Sequence, residues 1–170
     1  SESRTGDFDV RVRLNSLGLA DLWSRAGIMA RNGSATGDLL AAAVATPGTA
    51  GCFFMARTSS GTAPAISGAY PVNYPQTWLR LRRSGNVFTG FASIDGTAWT
   101  QLSSATVAMG SNVQVGLFTS SGTSAQTTAS FSSYGDTAGA VIATQPLPFE
   151  PDGPSSRHGP ITITEISYNP

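Results

Sequence analysis

Residues 8–14 read Phe8-Asp9-Val10-Arg11-Val12-Arg13-Leu14, apolar and polar in unbroken alternation. A period of two belongs to a half-buried strand, so Phe8, Val10, Val12 and Leu14 are predicted to face a core and Asp9, Arg11 and Arg13 to face away. Further strand signals, bounded by Gly, Ser, Asn or Pro, fall at 26–31, 39–44, 51–58, 77–83, 86–94, 113–119 and 126–134. Ala-rich 39–45 could pass for a helix, but between Gly37 and Pro47 it is too short to stand as one and reads as a strand. About eight strands without a convincing helix predict an all-β fold, a sandwich or a barrel. In a two-sheet antiparallel sandwich, Phe8, Val10, Val12, Leu79, Leu81, Val115 and Leu117 are expected between the sheets.

Two turns are legible. Ser84-Gly85-Asn86 separates two alternating runs and predicts a tight hairpin. Asp95-Gly96 supplies the residues that favour positive φ at both centres of a type I′ turn.

Composition sharpens this picture. Only 12% of residues are charged, about half the usual globular share, and 19 are Gly. Helices need Glu and Lys on their wet faces, whereas sheets tolerate Ser, Thr and Gly. Ten acidic and ten basic residues give a net charge of +0, so no global field draws nucleic acid or an anionic membrane. All ten basic residues are Arg. The single cysteine, Cys52, rules out an intrachain disulfide and lies in the apolar run Gly51-Cys52-Phe53-Phe54-Met55, where a buried thiol is expected. No stretch approaches the ~20 apolar residues that cross a bilayer.

From Thr137 the texture changes. Residues 138–160 hold Pro146, Pro148, Pro151, Pro154 and Pro160 and read as an extended linker between a sandwich over 1–137 and a lone alternating strand over 161–170. A single strand is not stable alone, so it either pairs with a sandwich edge or opens a second domain.

Several segments in order resemble a known family. They are Gly6-Asp7-Phe8-Asp9-Val10, residues 23–31 (Trp-Ser-Arg-Ala-Gly-Ile-Met-Ala-Arg), and Trp78-Leu79-Arg80-Leu81-Arg82-Arg83-Ser84-Gly85-Asn86. Ser93-Ile94-Asp95-Gly96-Thr97-Ala98-Trp99 and the Val-Gly-Leu-Phe of 115–118 continue the series. From Gly6 to about Gly135 the chain resembles laminin-G-like jelly-roll modules of the concanavalin-like lectin/glucanase superfamily, found in bacterial secreted proteins. The resemblance implies an extracellular module beside other domains of a larger protein. Residues 161–170 resemble the first strand of a lamin-tail-type domain.

The resemblance also raises catalysis and metal binding. Glucanases of this superfamily place acidic residues two apart on one strand face, and retaining glycosidases need two carboxylates ~5 Å apart. Asp7 and Asp9 are the nearest approach, at the edge of the first strand. The sole histidine, His158, lies in the Pro-rich segment, away from any Ser and Asp constellation. No enzyme is expected. Modules of this type often hold a structural Ca²⁺ near the first and last strands, which points to Asp7 and Asp136 as candidate ligands. Ser93 to Trp99 resembles the Asp-box turn of sialidase propellers, whose Asp caps the turn while the Trp packs beneath.

Alternation places Arg80 and Arg82 on one strand face, with Thr89 and Phe91 as hairpin neighbours. Met29 shares a face with Arg31, and Met55 with Arg57. Aromatic rings and planar donors suit sugars, which stack through C–H faces and bond through hydroxyls. Arg31, Arg57, Trp78, Arg80, Arg82 and Phe91 are therefore candidate glycan contacts; the alternative is an exposed face of Arg–Asp and Arg–Ser cross-strand pairs. Tyr70 and Tyr74, each followed by Pro, form with Trp23 a second candidate platform. The sequence supports a non-catalytic carbohydrate-binding or adhesive accessory module, partnered by a polysaccharide or by neighbouring domains. The other reading is a structural spacer without a small ligand.

Overall fold

The structure, a computed structural model, describes residues 1–48, 50–137 and 141–143. The described chain is all β. In order it forms β1 (Glu2–Thr5), β2 (Phe8–Leu17), β3 (Arg25–Arg31), β4 (Leu40–Ala45), β5 (Cys52–Arg57) and β6 (Ala65–Tyr70). Then follow β7 (Thr77–Ser84), β8 (Val87–Ser93), β9 (Ala98–Thr106), β10 (Asn112–Ser120), β11 (Ala129–Asp136) and β12 (Val141–Ala143). A first sheet runs β1-β10-β3-β4-β5-β6 and a second β11-β2-β7-β8-β9-β12. The chain crosses repeatedly between them, giving a jelly-roll sandwich. Every ladder is antiparallel but one: β12 pairs parallel to β9, inside the stretch read from sequence as linker. The rest of the proposed linker and the whole 161–170 strand lie outside the described residues.

The core follows the alternation. Val10, Val12 and Leu14 are fully buried, and so are Leu79 and Leu81 opposite them across the β2–β7 ladder. Ile28, Phe54, Phe88 and Val115 complete the layer between the sheets. The sheets approach closely where β5 meets β8: a Cβ on Gly90 would lie 2.6 Å from the Phe54 ring, so only glycine fits. The Ala-rich run is a strand, β4, buried on both faces in mid-sheet. Ala41, Ala43 and Ala45 face the core while Leu40, Ala42 and Val44 join a second apolar cluster with Phe53 and Met55 on the outer side.

Three expectations need correcting. Leu117 is 39% exposed rather than enclosed. It pairs with Ile28, but β1 covers β10 only from Asn112 to Val115 and ends before reaching it. The Asp95-Gly96 loop is not type I′, because Gly96 has positive φ (72°) and Asp95 does not; four residues separate β8 from β9. Gly85-Asn86 does close a two-residue hairpin, since Ser84 pairs with Val87. The strand set also grows, as β1, β6, β9 and β12 carried no readable alternation.

Candidate functional site

The outer face of the second sheet gathers the polar side of three strands. Asp9, Arg11 and Arg13 of β2 stand opposite Arg82, Arg80 and Trp78 of β7. Those in turn stand opposite Thr89, Phe91 and Ser93 of β8. Directly paired residues share a face, so all nine project away from the core that Val10, Leu79 and Leu81 fill. Trp99 of β9 joins them. The Arg80 guanidinium carbon lies 4.9 Å from the Phe91 ring centre and 5.6 Å from that of Trp99, and the Arg82 guanidinium 5.4 Å from Phe91. Such distances are those of cation–π contact.

Arg80 directly faces Arg11 in the ladder, and the two cations turn to different partners. Arg80 is 4% exposed; its Nε and Nη2 donate to the two oxygens of Asp9 at 2.7 and 2.5 Å. Arg11 Nη1 donates to the Gly96 carbonyl at 3.0 Å, and its guanidinium lies 5.6 Å from the Trp78 ring centre. Arg13 Nε donates to the Pro75 carbonyl at 2.7 Å. The Arg82 side chain makes no hydrogen bond among the described residues and lines, with Asp7 and Asp9, an open depression of about 500 Å³ at the end of β7. Three N–H donors of this face are buried with no acceptor among the described residues: Arg80 Nη1, Trp78 Nε1 and Trp99 Nε1. Each such orphan costs about 1–3 kcal/mol, so native structures seldom keep several together without a role.

The β8–β9 loop fixes one end of the face. The Asp95 carboxylate accepts from the N–H groups of Thr97 and Ala98 at 2.8 and 2.9 Å and from the Ser93 hydroxyl at 2.8 Å. Burial pushes its carboxyl upward, but these hydrogen bonds outweigh burial and hold it below the ordinary carboxylate range. Gly96 lies flat on Trp78, where any Cβ would come within 2.8 Å of the indole. Asp95 thus caps the turn, and Trp99, fully buried, packs beneath Arg80.

The remaining sequence candidates sit elsewhere. Arg31 and Arg57 flank Leu40 on the outer side of the first sheet, the opposite surface of the sandwich from Arg80 and Arg82. Arg57 is a loop staple, donating to the carbonyls of Thr62, Thr36 and Asp38. Arg31 donates to the Ala35 carbonyl, while its Nε is buried and unpartnered. Tyr70 is buried, and the Tyr74 hydroxyl donates to the Thr46 carbonyl at 2.7 Å. Neither offers a free ring, so the Tyr70–Tyr74–Trp23 platform is not formed. Trp23 stays 54% exposed, edge-on to Phe53. Asp7 accepts the Gly85 N–H at 2.7 Å, and Asp136 is ion-paired to Arg4 at 2.8 Å. Among the described residues no three His, Cys, Asp or Glu converge as a metal site.

Within the face itself, Phe91 and Arg80 form its buried floor rather than its contact layer, because the guanidinium covers the ring. Sequence reasoning missed Asp9 as the anchor of Arg80 and Trp99 as part of the face. A signal for the first existed in the Asp-x-Arg-x-Arg side of β2. For Trp99 there was none: the β8–β9 ladder shifts register between Gly90 and Phe91, which reverses the facing of every residue beyond.

Comparison with known proteins adds the following. The model of a family described as "Protein of unknown function (DUF1349)" matches residues 65–137, which hold Trp78, Arg80, Arg82, Phe91 and Trp99. No curated protein matches the chain. A solved structure of a functionally unknown protein from Saccharomyces cerevisiae is similar at TM-score 0.62 and 22% identity, over 81% of this chain and 72% of that one. A GH43 protein, BlXynB from Bacillus licheniformis, is similar at TM-score 0.56 and 16% identity, over 72% of this chain and 25% of that one. At these identities the likeness is one of fold, and the fold is a jelly-roll β-sandwich.

Proposed function

We propose that this chain is a non-catalytic carbohydrate-binding module of a larger secreted protein, and that the outer face of the second sheet binds the glycan. The observation that carries the reading is the grouping of Arg11, Arg13, Arg82 and Trp78 on one outer sheet face over a floor of Arg80 and Phe91. Sugar hydroxyls and ring oxygens are acceptors for guanidinium donors, and a partly exposed indole such as Trp78 offers a surface for C–H stacking. Asp9 is held by Arg80 and is the only carboxylate on those three strands' outer side, whereas glycoside hydrolysis ordinarily needs a pair. That supports binding without turnover. The sandwich corresponds to only a quarter of the GH43 protein it resembles, which fits a part of a larger chain.

One observation favours the spacer reading instead: Phe91 and Trp99 are wholly buried, leaving Trp78 as the accessible ring of the face. Pull-down on a panel of insoluble polysaccharides separates the two. Retention by at least one polysaccharide, weakened by Trp78→Ala, is expected of a binding module, together with no release of reducing ends. Failure to bind any member of the panel would leave the spacer.

A further inference from the structure

We infer that the glycan recognised at this face is acidic, a uronic-acid polysaccharide whose carboxylate is received by Arg82. The inference rests on the binding reading above and specifies its ligand. The whole chain has a net charge of +0, yet the polar side of β2 and β7 sets four arginines, Arg11, Arg13, Arg80 and Arg82, against Asp9 alone. The charge is therefore concentrated, not diffuse, and a local positive field attracts anions.

The four cations are not equally committed. Arg11 and Arg13 each spend a donor on a backbone carbonyl and brace a loop. Arg80 spends two donors on Asp9 and keeps Nη1 unpartnered. Arg82, two residues further along the same face, has its guanidinium against the Phe91 ring and makes no side-chain hydrogen bond among the described residues. Asp9 stands opposite Arg82 in the ladder, but both its oxygens accept from Arg80. The result is one guanidinium with no ion pair among the described residues, set at the edge of the floor that Arg80 and Phe91 form. The depression lined by Arg82 and Arg83, with Asp7 and Asp9 on its wall, gives an approach from solvent.

A planar carboxylate has the geometry for such a guanidinium. Guanidinium forks meet carboxylates through two parallel N–H···O bonds, whereas a neutral sugar hydroxyl leaves the charge of Arg82 unanswered. The same ligand would lay a sugar ring against the accessible part of Trp78.

The test compares polygalacturonate, its fully methyl-esterified form, neutral xylan and cellulose, and heparin as a sulfated arm, by affinity electrophoresis. Polygalacturonate should retard the protein, and esterification should weaken binding by roughly ten- to a hundredfold, the worth of one or two charge-assisted hydrogen bonds. Binding should fall with added salt, and Arg82→Gln should lose a similar factor with an unchanged circular dichroism spectrum. Equal affinity for the acid and the ester, or for neutral glycans, would overturn the acidic ligand while leaving a binding module. Preference for heparin would replace the carboxylate by sulfate and overturn the inference in this form. No retardation by any polysaccharide would overturn the module together with its ligand.

Discussion

Asp9 and Arg80 are joined by two hydrogen bonds although the β2–β7 register sets Asp9 opposite Arg82 and Arg80 opposite Arg11. The diagonal pairing resolves the clash that two directly opposed arginines would create. It also packs Arg80 flat over Phe91 and Trp99, with its side chain 5% exposed against 26% for Asp9. Removing the carboxylate would strand a buried cation.

Asp9→Ala should therefore destabilise the sandwich by about 3 kcal/mol, toward the lower end for a broken buried pair because Asp9 is partly wet. Arg82→Gln, which breaks no hydrogen bond, should cost less than about 0.5 kcal/mol. Urea denaturation with an unchanged slope measures both. Equal, small losses in the two variants would show that the diagonal pair does not hold the face together.

The capped β8–β9 turn ties stability to pH. Asp95 titrates below its ordinary value in the fold, so it favours folding above its unfolded pKa, and that contribution disappears as pH falls through the folded pKa. The melting temperature of the native protein should fall more steeply below about pH 4 than that of Asp95→Asn. Parallel curves for the two would remove Asp95 as a source of acid sensitivity.

Much of this was legible in the chain, and the rest was hidden for identifiable reasons. Strict alternation in residues 8–14 and 77–83 gave both strands and both facings, because each has one face in the core. Their adjacency was not legible: nothing local says that Asp9 lies beside Arg80, 71 residues away. Arg80, Arg82 and Trp78 were grouped from sequence, but Arg31 and Arg57 were added to them by residue type alone and belong to the opposite surface. β9 escaped notice because its bulge interrupts the period of two, and β6 because Ala65 to Ala69 is exposed on both faces. Tyr70 and Tyr74 looked like loop aromatics, and burial was invisible until the loop was seen folded back on Thr46.

Cys52 is fully enclosed between the sheets, and burial pushes its thiol up to about 12. The thiolate is the reactive form, so labelling by a disulfide reagent at neutral pH should be negligible in the native protein and complete after unfolding in guanidinium. Rapid labelling of the folded chain would mean that the core opens locally around β5.

Calcium offers a further check. Asp7 and Asp136 already hold the Gly85 N–H and the Arg4 guanidinium. Addition of millimolar Ca²⁺, or of a chelator, should leave the melting temperature unchanged, since only an ion bound to the folded state stabilises it. A rise with calcium that Asp136→Asn abolishes would restore the jelly-roll calcium site at this edge.

The most direct measurement uses the placement of the three tryptophans. Trp78 and Trp99 belong to the outer face of the second sheet, whereas Trp23 packs against Phe53 of the first. Titrating soluble oligosaccharides from acidic and neutral polysaccharides into the Trp23→Phe protein, with indole fluorescence as the readout, isolates that face. The account predicts a saturable fluorescence change that survives Trp23→Phe and is lost in Trp78→Ala. A saturable change in the native protein that disappears with Trp23→Phe would place binding on the first sheet and contradict it.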